Sequence, residues 1–288
     1  VKERNDAHKL IEDFMLLANR KVAEFIATKG KKKNSLGFVY RVHDSPKEDV
    51  LEGFAKFAAR FGYKVNTKSH SEISKSLNQL MSDVEGTKEQ NVLTQLAIRS
   101  MAKAIYTTKK TSHYGLAFDY YTHFTSPIRR YPDVMAHRLL QHYLDGKSSV
   151  NTEDLEKQCL HSSQMEKRAA DAERLFVKYK QAEFLSEQVG EIYNGIISGV
   201  TEWGIYVEII ENKCEGMIRL RDINDDFYVL DQENYCIIGQ RFKRKYQLGD
   251  EVQIKVKKVE LAKKQIDFEL ITKDAPLNFV KKNHKKRR

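Results

Sequence analysis

The chain has 288 residues, 41% apolar and 31% charged, which suffices for one large domain or two smaller ones, each with its own core. No apolar run approaches the roughly 18–20 residues that span a bilayer, and Val1-Lys2-Glu3-Arg4 has no signal-peptide character, so the expectation is a cytoplasmic protein without membrane association. The net charge of +10 is concentrated at one end: Pro276 to Arg288 holds six Lys/Arg and no acid, which favours a polyanionic partner over a merely solvated terminus.

In chain order, the first signal is helical. Leu10, Phe14, Leu17 and Phe25, flanked by Ile11, Met15, Ala18, Val22 and Ile26, predict an amphipathic helix from about Asn5 to Thr28, capped near Asn5 or Asp6. A chain that opens at Val1 just ahead of a helix signal is expected to be a fragment or processed piece. Gly30 to Ser35 breaks the helix, and Leu36 to His43 reads as a short strand. Helices are expected at about 46–61, 73–81 and 91–106, then a Tyr- and Phe-rich segment, then a helix to about Leu144. From Thr152 to about Gln188 the pattern predicts one long helix closing the first domain. At Gly190 the period becomes alternating (Ile205, Val207, Ile209; Val252, Ile254, Val256; Ile266, Phe268, Leu270), with glycines between the runs. About 80 residues of this kind fit a small five-stranded OB barrel. Cys159, Cys214 and Cys236 form no C-x-x-C pair and leave an odd thiol in any disulfide scheme, so they are read as reduced.

The richest stretch is His123-Phe124-Thr125-Ser126-Pro127-Ile128-Arg129-Arg130-Tyr131-Pro132-Asp133. Ser126 can cap a helix with Pro127 at its first position, leaving backbone N–H groups for an anion. Arg129 and Arg130 add guanidinium forks suited to phosphate oxygens. Pro132 cannot continue a helix begun at Pro127, so the chain should turn once and restart. These features fit a phosphate cradle or, equally, a capped helix with structural ion pairs. The spacings of His8, His43, His113, His123 and His137 match no metal-ligand motif, and structural roles are expected of them.

The run from His123 to Tyr131 resembles the H-F-T-S-P-I-R-R-Y signature late in the RNB domain of the ribonuclease II and ribonuclease R family. Residues 4–19, Arg-Asn-Asp-Ala-His-Lys-Leu-Ile-Glu-Asp-Phe-Met-Leu-Leu-Ala-Asn, resemble that family's central helix, and the likeness, closer to the ribonuclease R side, extends over residues 1–272. It implies an α+β chain: the C-terminal part of an RNB catalytic domain (1–187), an all-β S1-type OB barrel (188–272) and a basic disordered tail (273–288). The implied activity is hydrolytic 3′→5′ exoribonuclease action releasing nucleoside 5′-monophosphates with Mg2+, on single-stranded RNA 3′ ends, by a protein that is a monomer when complete.

The resemblance also implies roles. The phosphate-contacting arginine falls on Arg129 with Arg130 beside it, and Ser126 belongs to the same cradle. The nucleotide-contacting helix acid falls on Glu12, with Asp13 the alternative, and Asn19 lies on the same helix face. On the long helix the acid near the scissile end is assigned to Glu173, with Glu166 second; the competing reading for each carboxylate is an ordinary exposed helix charge. In the S1-like part, base-stacking aromatics fall on Trp203 and Tyr206. Three apart, they need a bulge at Gly204 to share a face; the alternative makes Trp203 core. Arg219, Tyr228, Lys281 and Lys282 complete the expected RNA contacts. The family's metal-binding aspartates, spaced D-x5-D-x-D-D, do not occur in this sequence, and Asp225-Asp226 is not expected to replace them, so no metal ligand is assigned and the chain alone is expected to be inactive. The rival readings are a non-catalytic RNA-binding protein and, disfavoured by the RNB-like motifs, a phosphorolytic nuclease.

Overall fold

A computed structural model describes residues 4–29, 36–67, 70–87, 90–232 and 234–271. They form two compact units, Val1–Asp83 with Gln95–Ala172, and Val84–Thr94 with Glu173–Arg288.

The elements of the first part are α1 (Asp6–Lys29), β1 (Tyr40–Val42), α2 (Glu48–Ala59), α3 (His70–Asp83), α4 (Gln90–Ser100), β2 (Ile105–Thr107), α5 (Tyr131–Leu144) and α6 (Thr152–Ser186). At the start of α1, the Asn5 side chain accepts from the His8 N–H at 3.1 Å, as the cap reading anticipates. The apolar stripe of α1 behaves otherwise than expected. Asn19, Ala23 and Ile26 form its buried face, while Leu10, Ile11, Phe14 and Leu17 are about half exposed. The core that receives Ala23 and Ile26 is built from Phe38, Tyr40, Val42, Tyr106, Met135, Leu139, Tyr143 and Cys159.

Two local expectations are corrected. Of residues 36–43 only Tyr40–Val42 joins a ladder; Phe38 and Val39 are buried without strand pairing. The helix expected to reach residue 106 stops at Ser100, and Ile105–Thr107 pairs antiparallel with β1, Tyr40 opposite Thr107 and Arg41 opposite Tyr106. Burial of the Tyr106 ring against that ladder overrides the helical pattern leading up to it.

In the second unit β3 (Ile192–Val200), β4 (Gly204–Ile209), β5 (Glu215–Arg219), β9 (Glu251–Glu260) and β10 (Gln265–Ile271) close a five-stranded barrel in the order β10-β5-β4-β3-β9. Its interior holds the alternating residues of the sequence pattern, Ile205, Val207, Ile209, Ile254, Val256, Ile266 and Phe268, and the last turns of α6 add Ala182 and Leu185. Between β5 and β9 a separate antiparallel sheet is inserted: β6 (Tyr228–Asp231), β7 (Cys236–Gly239) and β8 (Lys245–Gln247). Nothing in the sequence reading anticipated it. Cys159, Cys214 and Cys236 are buried free thiols.

Candidate nucleic-acid interface

In the first unit the signature segment forms one turn and then restarts as α5. The N–H groups of Arg129 and Arg130 both bond back to the Ser126 carbonyl, at 3.3 and 3.0 Å, and α5 begins at Tyr131 with Arg130 as its N-cap residue. The Ser126 side chain does not cap this turn, and its own N–H donates to Asp133 Oδ1 at 2.7 Å. The same oxygen accepts Arg130 Nη2 at 2.8 Å, and the Asp133 side chain is fully buried. Asp133 thus ties both ends of the turn to the first turn of α5. Of the two forked cations, Arg130 is committed to this pair. Arg129 is exposed beside a fully exposed Ile128 and makes only a long contact, 3.5 Å, to Ser126 Oγ.

Asn19 proves to be a bracket. It is buried, donates to Tyr121 Oη at 3.0 Å, and accepts the N–H groups of Phe124 and Thr125 at 3.0 and 3.2 Å. Behind the turn, His123 Nδ1 lies 2.7 Å from Tyr106 Oη, and burial together with the charges of Arg130 and Arg41 lowers its pKa to about 3. Burial and neighbouring His43 lower His113 to about 4. His137 stacks on Phe124 at 3.8 Å and bonds its carbonyl oxygen. Among the carboxylates, Glu12 pairs with Arg4 and remains exposed. Glu166 is held bidentately by Arg41, at 2.6 and 3.0 Å, while that guanidinium also covers the Tyr106 ring. Glu173 is exposed on α6.

In the second unit Trp203 is 73% exposed, which excludes the core reading. It lies in the bend before β4, and no bulge occurs at Gly204: β4 pairs regularly with β5 from Gly204 opposite Arg219 onward. The irregularity sits in β3, between Ile197 and Gly199. Trp203 and Tyr206 consequently line different cavities. One, of about 700 Å3, brings Trp203 together with Met217, Arg219, Arg221 and Phe227. The other, of about 220 Å3, joins Tyr206 to Lys178, Gln181, Lys263 and Lys264. Arg219 pairs with Asp267 at 2.9 Å.

Tyr228 borders the same cavity as Trp203 but is mostly buried. Its ring is packed in the core, its hydroxyl donates to Asp225 at 3.2 Å, and burial raises its pKa, whereas the preceding Phe227 is 70% exposed. Phe227 escaped the sequence reading because the alternation there pointed to neither ring. Lys281 and Lys282 lie outside the described residues.

The donors of the described residues do not fit a divalent ion. Among the described residues no group of three or more His, Cys, Asp and Glu side chains is placed to hold a metal. Asp225 accepts from Arg244 at 2.8 Å, and Asp226 accepts the N–H groups of Phe227, Arg241 and Phe242 at 2.7–3.0 Å, so both anchor the inserted sheet. Among the described residues, too, no helix is long and apolar enough to cross a membrane.

A cationic turn on a mixed α/β unit, accompanied by an OB barrel with exposed rings, defines the class: a chain with the architecture of a nucleic-acid-binding protein. Residues 1–146 match the RNB domain and residues 186–271 the S1 RNA binding domain. The chain belongs to the RNB family. It is 38% identical to ribonuclease R 1 of Lactococcus lactis over 95% of its length and 33% of the relative's, and 37% identical to ribonuclease R of Aquifex aeolicus over 94% and 38%. The apo structure of Mycoplasma genitalium RNase R superposes with a TM-score of 0.83 at 27% identity, covering 94% of this chain and 42% of that one. The same enzyme in complex with ribose-methylated single-stranded RNA gives 0.82 at 28% identity, with the same coverage. The chain therefore spans well under half the length of these relatives.

Proposed function

We propose that the chain is the C-terminal portion of a cytoplasmic, monomeric, ribonuclease R-type hydrolytic exoribonuclease that degrades single-stranded RNA from its 3′ end to nucleoside 5′-monophosphates. The observation that carries this reading is Arg129: an exposed guanidinium on a turn that buried Asp133 ties to a helix, in a chain that also carries an S1 barrel. A fork held on a rigid turn matches phosphate oxygens, and such a cation contributes most where charge develops during cleavage. Arg130 acts by fixing the turn, Asn19 by fixing the segment before it, and Glu12 and Glu173 by positioning nucleotides. Trp203, Phe227, Tyr206 and Arg219 bind the strand, with Lys281 and Lys282 of the tail adding affinity. The magnesium ions implied by the family would be held by carboxylates other than those described.

The purified chain should accordingly bind RNA without cutting it. A 5′-labelled oligonucleotide incubated with chain and magnesium should give no ladder beyond an EDTA control. Co-expression with the upstream half of an RNB domain should bring metal-dependent release of monophosphates, and Arg129→Ala should lower that rate more than it lowers affinity. Metal-dependent laddering by the lone chain would show that a metal site exists within it. The second reading, a non-catalytic RNA-binding protein, is favoured by the missing carboxylate cluster and predicts no activity in the co-expressed form.

A further inference from the structure

The turn joining β7 to β8 concentrates positive charge. From Asn234 to Gly249 the sequence has four cations, Arg241, Lys243, Arg244 and Lys245, and no acid. The fold sorts them by direction. Arg244 is held by Asp225 at 2.8 Å, whereas Arg241, Lys243 and Lys245 are exposed and make no ion pair within the described residues. Lys245 lies opposite Ile238, and Ile238 opposite Val229, so these three share the outer face of the inserted sheet. Leu230, Ile237 and Tyr246, on the other face, pack on the barrel core.

The tip that bears these cations is locked from within. The Gly239 N–H donates to the Arg244 carbonyl at 2.8 Å, closing the turn, and Lys243 adopts the left-handed region with φ of 56°. Asp226 reaches into the turn and accepts the N–H groups of Arg241 and Phe242 at 3.0 and 2.7 Å, while the Gln240 N–H donates to the Phe227 carbonyl at 2.9 Å. A Cβ at Gly239 would run into the Asp226 carboxylate. The Arg241 guanidinium lies 5.4 Å from the centre of the exposed Phe242 ring, an attraction that holds the fork at the surface. Asp225 and Asp226 are thus occupied in holding the turn, and the tip shows solvent only positive charge on a fixed backbone. Arg241, Lys243 and Lys245 line neither cavity described above, so they suit phosphates rather than bases. Asp226 and Phe227, to which the tip is bonded, do line the 700 Å3 cavity, and this puts the tip at its rim. We infer that the β7–β8 tip is a contact site for the sugar-phosphate backbone of RNA, separate from the exposed rings of the barrel and indifferent to base identity. This rests on the RNA-binding reading above and adds to it a charged site on an element outside the barrel.

The 288-residue chain is titrated with three 5′-labelled probes followed by anisotropy. They are a ten-nucleotide single-stranded RNA, a ten-base-pair RNA duplex, and a ten-unit abasic strand that keeps only the sugar-phosphate backbone. The test variant combines Arg241→Gln, Lys243→Asn and Lys245→Gln; asparagine suits the left-handed backbone at Lys243. It should weaken the single strand by about 10- to 100-fold at about 0.1 M salt and flatten the slope of log K against log salt by up to about 2, from about 0.7 per lost phosphate contact. This share adds to that of the basic tail. The abasic strand should lose the same factor. A control that removes equal charge, Lys47→Gln, Lys56→Gln and Lys64→Gln, exposed lysines on and beside α2, should leave affinity and slope in place. Emission of Trp203, the single tryptophan, at saturating single strand should match the parent's. Should the triple variant melt too low to be used, Arg241→Gln alone should flatten the slope by about 0.7. Loss with the duplex as well would extend the site to the phosphates of paired RNA, and an unaffected duplex would confine it to unpaired RNA. Full affinity of the test variant for all three probes, or equal loss in the control, would overturn the site. So would a loss that vanishes with the abasic strand, or a changed Trp203 emission, which would put the effect in the barrel. If the parent chain bound none of the probes, the RNA reading itself would fall.

Discussion

His123 lies where two arginines and several rings meet: its ring is edge-on to Tyr106 and Tyr121, and its Nδ1 faces the Tyr106 hydroxyl. With a folded pKa near 3, set by burial and then by Arg130 and Arg41, the native chain keeps this imidazole neutral. The unfolded chain begins to bind a proton near pH 6.5. Stability is therefore full above that value and drains as pH falls from 6.5 toward 3; His113, with a folded pKa near 4, acts in the same direction. Denaturant unfolding at pH 7 and pH 5 should show a loss of about 1–2 kcal/mol attributable to His123. His123→Gln, which retains an acceptor for Tyr106, should lose that much less over the interval; an identical loss in variant and parent would refute the assignment. At this scale the motif pointed to one segment but could not apportion its residues. By residue type the two arginines were equivalent forks and the resemblance singled out Arg129; the burial of Asp133, seven residues beyond Ser126, supplies the physical difference between the committed Arg130 and the exposed Arg129. Asn19 was placed on the right helix, yet its partners lie more than 100 residues away, and no periodicity reveals them.

Among the elements, long periodic segments were legible and the face they bury was not. α1 and α6 stand within a residue or two of expectation, but α1 buries Ala23 and Ile26 and leaves Leu10, Phe14 and Leu17 outward, because what packs on a stripe is tertiary information. The barrel was legible because alternation fixes both strand and inward face. The placement of Trp203 was not, since it depends on where β4 begins. Gly204 shows why that start is fixed: a Cβ there would run into the Ile218 carbonyl and the Arg219 backbone across the β4–β5 ladder. Backbone gives way less readily than a side chain, so Gly204→Ala should destabilise the barrel by about 1–3 kcal/mol. It should also shift Trp203, measurable as a lower melting midpoint together with an altered emission maximum. Gly53→Ala, on α2 with nothing nearby to clash, should cause neither change; equal melting midpoints for the two variants would show that the strands part freely at Gly204.

For the molecule as a whole, charge is the property that the sequence conveys most directly, because it requires no knowledge of packing. Six of the cations lie in Pro276–Arg288 with no acid among them, outside the described residues, so residues 1–275 carry a surplus of only four. Many of the cations within the described residues are paired: Arg41 with Glu166, Arg130 with Asp133, Arg219 with Asp267, Arg244 with Asp225. Paired cations release few counterions on binding a polyanion, whereas the basic run can release one per phosphate it neutralises. The stacking rings and the tail should therefore divide the work, the rings supplying a salt-insensitive part of affinity and the tail its salt dependence. Deleting residues 276–288 should flatten the slope of log K against log salt for single-stranded RNA by up to about 4, from about 0.7 per neutralised phosphate. It should leave Trp203 quenching at saturation unchanged. Trp203→Ala should do the reverse, weakening binding by about 1–3 kcal/mol at every salt concentration with the slope preserved. A tail deletion that lowered affinity without changing the slope would mean that the tail acts through some contact other than its charge, and the division between the two parts of the chain would have to be redrawn.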